Sequence, residues 1–140
     1  MVRPGGNECP ICLKHRGEGP LVGPVIYQDD LVFVAHRATG SLGYAFVETQ
    51  RHAPYLDDLT DEEAAAVGRV ASRLARGLRA ELDANFVHTA VSGLGVAHFH
   101  EHVFVRHGGT PDLYTWWQEW PDAPHGDIPA LAKRLGAYFD

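Results

Sequence analysis

Between Ala97 and Arg106 the chain reads Ala-His-Phe-His-Glu-His-Val-Phe-Val-Arg, placing His98, His100 and His102 at every second position among β-forming residues. Alternate side chains of a strand share a face, so a strand here carries the three imidazoles in one row, roughly 6–7 Å apart. Phe99, Glu101, Val103 and Val105 then point the other way. Three titratable rings on one face cost stability unless something uses them. The chain must therefore fold so that this strand has one side in a core and the other in a cleft. Nine histidines among 140 residues raise the background, yet strict period-two clustering marks the row as a site.

The flanking sequence predicts a sheet for that strand to join. Pro24–Gln28 and Leu31–His36 alternate around Asp29-Asp30 and read as a β-hairpin. Tyr44–Thr49 is a third strand, and Phe86–Val91 a fourth. Ser92-Gly93-Leu94-Gly95 then turns the chain back into the histidine strand, predicted over His98–Arg106, as the fourth strand's antiparallel neighbour. Thr60 to about Leu82 is the clearest helix. Thr60 and Glu63 make a capping box, Asp61 and Glu62 suit the positive end of the dipole, and Val67, Val70, Ala71, Leu74, Leu78 and Leu82 form one apolar stripe. Arg69, Arg73, Arg76 and Arg79 lie mostly off the stripe, as a solvated face. Asp127 caps a last helix running toward Asp140, with Pro129 in its first turn. The expected architecture is α+β: a five-stranded antiparallel sheet with one long helix and a short C-terminal one. The length of 140 residues suits one domain over 1–140, with a tail at 1–8, a body at 9–106 and a C-terminal extension at 107–140. In that extension Tyr114, Trp116, Trp117 and Trp120 cluster, which reads more readily as an anchor onto the core or a partner subunit than as a base-stacking platform.

Charge and composition narrow the partners. A formal net charge of −6 argues against broad nucleic-acid or acidic-membrane binding, so a phosphate-bearing ligand needs a local cationic or amide device. No apolar run approaches the ~20 residues of a membrane span, and the stretch from Met1 to Gly6 lacks a signal-peptide core. A cytoplasmic protein is expected. Two cysteines, Cys9 and Cys12, do not make a disulfide scaffold.

Cys9-Pro10-Ile11-Cys12 has two ordinary readings, a redox dithiol or half of a metal site. Its place near the start of the chain, with loop expected on both sides, and the surplus of histidines favour zinc. Structural zinc takes four nitrogen or sulfur ligands. His98 and His52 are the candidates to complete the set, although spacing alone does not separate His52 from His15, His36 or His88.

The row His98-x-His100-x-His102 followed by the apolar Val103 and Phe104 resembles the signature of the histidine triad family of nucleotide hydrolases and transferases. The likeness runs from about Cys9 to Arg106. It implies a zinc bound by Cys9, Cys12, His52 and His98, since the Gln50-Arg51-His52 stretch matches the family's Pro-Lys-x-His position. It also implies a two-fold homodimer. His100, the middle histidine, becomes the nucleophile toward an α-phosphorus, giving a nucleotidyl-histidine that water resolves. That requires its other ring nitrogen to be held by a backbone carbonyl. His102 is placed to bond phosphate oxygens or protonate the leaving group. In the related uridylyltransferases the third position is glutamine, so a histidine there favours hydrolysis over transfer. Backbone amides of Ser92, Gly93 and Gly95, with the Ser92 hydroxyl, are the expected phosphate donors, and Arg106 and His107 a further source of positive charge. The resemblance places Ile26, Phe33 and Val34 on the apolar wall of the pocket.

Within the signature Phe99 is apolar as usual and Glu101 is not, and three departures from the family pattern lie outside it. Arg37 aligns where many members carry an acid for the ribose hydroxyls, Gly43-Tyr44 replaces a Gly-His, and Leu94 and Gly95 replace polar residues. They touch the nucleoside contacts and leave the phosphorus chemistry intact. The resulting expectation is a hydrolase of a dinucleoside polyphosphate or a nucleoside phosphoramidate. A nucleotidyltransferase or phosphorylase, and a zinc-stabilised nucleotide-binding module with little turnover, are the competing readings.

Overall fold

Asp29 sets the first turn of the sheet: its Oδ1 accepts from the amides of Leu31 (2.9 Å) and Val32 (3.0 Å), and its Oδ2 accepts from the Tyr27 hydroxyl at 2.7 Å. An aspartate that bonds the backbone two residues on is a turn former by mechanism. The turn joins β1 (Val25–Gln28) to β2 (Val32–His36). The computed structural model describes residues 8–140; apart from Glu8, the tail expected at 1–8 lies outside the described residues.

β3 (Tyr44–Thr49), β4 (Ala84–Ala90) and β5 (His100–His107) complete one sheet in the order β1-β2-β3-β5-β4, every neighbouring pair antiparallel. The register pairs Tyr44 with Phe104, Phe46 with His102 and Glu48 with His100. Directly opposed residues share a face, so one side of the sheet carries Tyr44, Phe46, Glu48, His100, His102 and Phe104. The other side, with Val32, Val34, Ala45, Val47 and Val103, is core.

The long helix α2 (Asp61–Glu81) covers that core side. Thr60 Oγ1 accepts from the Glu63 amide at 3.1 Å, and Glu63 Oε1 accepts from the Thr60 amide at 2.9 Å. Ala66, Val67, Val70, Leu74 and Leu78 are buried against the sheet. The C-terminal helix α3 (Ile128–Gly136), capped by Asp127 through the Ala130 amide, packs beside α2 and β1. Gly77 allows that approach, since a Cβ there would lie 3.0 Å from the Tyr138 ring and 3.1 Å from Leu135.

Two expectations change. His98 stands ahead of β5 rather than in it, because ladder pairing begins at His100. The Cys-x-x-Cys is not in loop: Pro10–His15 forms a short helix, α1, with Cys9 as its N-cap and Pro10 in its first turn. Among the described residues no helix is long and apolar enough to cross a membrane.

Candidate active site and metal centre

His98 connects two sites. Its Nε2–H donates to the Thr49 carbonyl at 2.7 Å, which leaves Nδ1 as a bare lone pair. That single lone pair lies 3.5 Å from Cys9 Sγ, 3.5 Å from Cys12 Sγ and 3.2 Å from His52 Nδ1, while Cys12 Sγ is 3.4 Å from His52 Nδ1. One lone pair cannot satisfy three partners by hydrogen bonding. One cation at the centre of the four atoms can. Tetrahedral zinc with bonds of about 2.3 Å to sulfur and 2.0–2.1 Å to nitrogen has edges of roughly 3.3–3.8 Å, close to these four separations of 3.2–3.5 Å. Cys9, Cys12, His52 and His98 therefore fit a structural zinc site, their ligand atoms all within 4.8 Å of one another.

The electrostatics agree. Burial and the adjacent Cys9 push the Cys12 thiol up to about 11. Burial pushes His98 down to about 4 and keeps the ring neutral, as a ligand must be.

The rival histidines have other partners. His36 is fully buried on the core side, donating from Nδ1 to the Arg37 carbonyl at 2.7 Å and accepting at Nε2 from the Gly43 amide at 2.8 Å. His88 sits on β4 against Phe104 and Trp116. His15 donates from Nε2 to Glu48 Oε1 at 3.0 Å.

The carbonyl of His98 orients the next member of the row. His100 Nδ1–H donates to it at 2.7 Å, so the lone pair of His100 is on Nε2. The His100 and His102 rings lie 5.3 Å apart. Tyr44 stands 2.7 Å from His102 Nδ1. Burial raises the Tyr44 pKa, so its hydroxyl keeps the proton and donates it, and His102 carries its own proton on Nε2. Burial and neighbouring His100 push His102 down to about 4, leaving a neutral ring at ordinary pH.

His100 and His102 line a cavity of 390 Å³ together with Ile11, Lys14, Leu21, Arg37, Phe46 and Glu48. A second cavity of 220 Å³ touches His98 and His100 and is walled by Tyr55, Ser92 and Gly93. The expected phosphate donors are thus divided, Ser92 and Gly93 on one side of His100 and Leu94 and Gly95 on the other. Gly93 and Gly95 adopt φ of 71° and 83°, a left-handed backbone that glycine permits.

Other expected residues lie elsewhere. Ile26 and Val34 belong to the core, and Phe33 stacks on His15 at 4.2 Å, so none lines the larger cavity. The apolar wall comes instead from Ile11, Pro20 and Leu21, which α1 and the loop after it bring over the sheet. Arg106 donates to the carbonyls of Tyr114 and Pro111, clamping the C-terminal segment, and His107 faces the core side, donating to the Leu42 carbonyl. Neither supplies charge to the cavity. Trp116 stacks on Phe104 and Trp117 lies 5.2 Å from His102, so the aromatic cluster anchors its segment onto the histidine face.

Sequence reasoning missed Lys14 and Glu48, and considered His15 only as an alternative zinc ligand. Glu48 is buried opposite His100, with Lys14 Nζ at 2.9 Å and His15 at 3.0 Å. Burial raises its pKa, but the His15 hydrogen bond and the Lys14 charge outweigh that and hold the carboxyl below its ordinary value. The available signal was the period-two set Tyr44, Phe46 and Glu48 on β3, which a register that puts Ala45 and Val47 on the core side with Val103 places on the histidine face.

Residues 22–109 match the family model described as HIT domain. No match to a curated protein sequence was found. Among solved structures, a Zn-bound histidine triad family protein from Mycobacterium smegmatis superposes with a TM-score of 0.72 at 23% identity, over 96% of this chain and 94% of its own. A hypothetical histidine triad nucleotide-binding protein from Sulfolobus tokodaii gives 0.73 at 18% identity, over 93% and 91%. A Hit-like protein involved in cell-cycle regulation from Bartonella henselae gives 0.71 at 19%, over 96% and 98%. These likenesses concern the fold.

Proposed function

The chain belongs to the HIT domain family, and from that premise we propose that it is a nucleotide phosphohydrolase working through a covalent nucleotidyl-histidine on His100. The observation that carries the proposal is the His100 hydrogen bond. With Nδ1–H held by the His98 carbonyl at 2.7 Å, Nε2 is an unprotonated nucleophile on a ring that lines both cavities.

In the first step the Nε2 lone pair forms a bond to the α-phosphorus, the bond from phosphorus to the leaving group breaks, and the leaving group takes its electron pair. His102, neutral at ordinary pH, donates from Nε2–H to a phosphate oxygen, and Ser92, Gly93 and Gly95 add amide or hydroxyl donors. In the second step water attacks phosphorus, its proton passes to solvent, and the N–P bond returns its electrons to Nε2. A neutral His102 is a better hydrogen-bond donor than acid. That favours leaving groups that depart as anions, so a dinucleoside polyphosphate ranks ahead of a nucleoside phosphoramidate, whose amine needs a proton.

Cys9, Cys12, His52 and His98 would hold zinc, which cross-links α1, the segment after β3 and the approach to β5. Four protein ligands close the shell, so its role is structural. His98 contributes a ligand nitrogen and the carbonyl that orients His100. The reading includes a cytoplasmic homodimer that binds neither nucleic acid nor membrane. β4 at the edge of the sheet, with Phe86 62% exposed, offers a surface for the second copy.

The test compares wild type with His100→Ala on diadenosine polyphosphates and adenosine 5′-phosphoramidate, with and without inorganic phosphate. His100→Ala is expected to lose on the order of 10⁴-fold or more in kcat, and wild type denatured at alkaline pH, where the N–P bond survives, to carry nucleotide on His100. Unchanged turnover in the variant sinks the proposal. Products that appear only with added phosphate redirect it to a phosphorylase.

A further inference from the structure

The cavity beside His100 holds a cation that the hydrolytic scheme leaves unused. Arg37 lines that cavity along with His100 and His102, its guanidinium 4.4 Å above the ring of Tyr44, the tyrosine that bonds His102. A guanidinium presents five donors. One terminal nitrogen of Arg37 donates to Ser41 Oγ at 3.1 Å and to Glu119, while its Nε is buried with no acceptor among the described residues. Buried donors without acceptors are rare and call for a partner.

The cation's present counter-ion is loosely held. The Glu119 side chain is 60% exposed and comes from the C-terminal segment, and an ion pair with one member in water contributes little. Lys14, the cavity's other cation, is locked to buried Glu48 at 2.9 Å and cannot exchange partners as easily. Arg37 is therefore the cavity cation whose counter-ion can be displaced.

We propose that Arg37 anchors a second oxyanion of the ligand, separate from the phosphorus that meets His100. The ligand class is a nucleotide carrying an additional phosphate monoester on its sugar. Glu119, which with Ser41 lines the adjoining cavity rather than the one beside His100, occupies the guanidinium in the free protein and gives way when a phosphate of the ligand takes its place. In a chain with a net charge of −6, such an ion-exchanging arginine supplies the local attraction a multiply charged ligand needs. The proposal rests on the nucleotide reading of the site.

The experiment is calorimetric titration, at fixed ionic strength, of wild type, Arg37→Gln, Arg37→Lys and Glu119→Gln. The probes are adenosine 5′-monophosphate, adenosine 2′,5′-bisphosphate and adenosine 3′,5′-bisphosphate. One bisphosphate is expected to bind wild type about ten-fold more tightly than the monophosphate, the worth of a charge-assisted fork. Which one it is identifies the sugar position. Arg37→Gln should bring that ratio to near unity, and Arg37→Lys, which keeps charge without the fork, should leave it in between. Glu119→Gln, an exposed change tolerated by the fold, should widen the ratio. A merely structural arginine would weaken both probes alike and preserve the ratio. Equal affinities in wild type, a ratio that survives Arg37→Gln, or one unmoved by Glu119→Gln overturns the inference while leaving the hydrolase reading standing. Failure of all three probes to bind overturns both.

Discussion

Tyr44 keeps its proton because burial disfavours the phenolate, and that proton, donated to His102 Nδ1, leaves the proton of His102 on Nε2. Tyr44→Phe removes one hydrogen bond and leaves the ring volume in place. Losing the tautomer control should lower kcat by about ten-fold with little change in KM, because the affected donor strengthens in the transition state. An unchanged kcat would count against His102 as a phosphate donor. His102 also gives a pH signature. Its folded pKa, about 4, lies below the ordinary 6.5, so between those values the unfolded chain binds the proton and the folded one does not. Stability therefore falls as pH drops from about 6.5 to about 4. His102→Gln should flatten that slope in urea titrations. The groups around His102 are His100, Phe46, Tyr44 and Trp117, with Glu48 acting at longer range, and none supplies a full opposing charge at contact. The histidine row was readable because period two is geometric. The division of labour among His15, His36, His52 and His88 was not, since each role depends on which carbonyl, carboxylate or thiol folding brings to the ring.

Elements show the same contrast. α2 was legible to within a residue because its start carries a capping box and its burial a continuous stripe, with Leu74 and Leu78 fully buried. Leu74→Ala should cost about 2–5 kcal/mol by urea unfolding, the usual range for emptying a packed leucine site. Glu63 adds to this start: its bond from Arg51 outweighs burial and holds its pKa near 2. That contribution is present above the ordinary carboxylate range and is lost as pH falls toward 2. α1 escaped notice for the opposite reason. It is six residues long, has no side-chain cap, and its Cys9 N-cap and Cys12 point to the metal cluster rather than to a stripe. A helix that short does not stand on propensity; cross-linking by metal is what such a segment needs. The Cys9→Ser, Cys12→Ser double variant should lose one zinc per chain by elemental analysis and melt well below wild type. Because Ile11 and Lys14 of α1 line the cavity, it should also raise KM. Full metal content in that variant would refute the four-ligand site, and no bound metal in wild type would restore the dithiol reading.

At the scale of the whole molecule, the sheet order among the described residues leaves β4 with one side unpaired. Exposed edge strands invite pairing with another chain unless they are short, charged or covered. β4 has seven residues, Ala-Asn-Phe-Val-His-Thr-Ala, with no lysine, arginine or proline, and Phe86 is 62% exposed on it. Such an edge is a liability in a monomer and an asset in a closed two-fold pair, where each edge satisfies the other. The expectation from the sequence was a homodimer, and the bare edge supplies a physical reason for one. Light scattering on the eluting protein should give twice the 15.4 kDa chain mass at micromolar concentration. Phe86→Glu puts a charge on this edge of each chain and should shift the population to monomer while zinc content stays at one per chain. A wild-type monomer across that concentration range would rule the pairing out. A dimer indifferent to Phe86→Glu would move the interface away from β4, toward the exposed face of α2 that carries Ala65, Gly68 and Ser72.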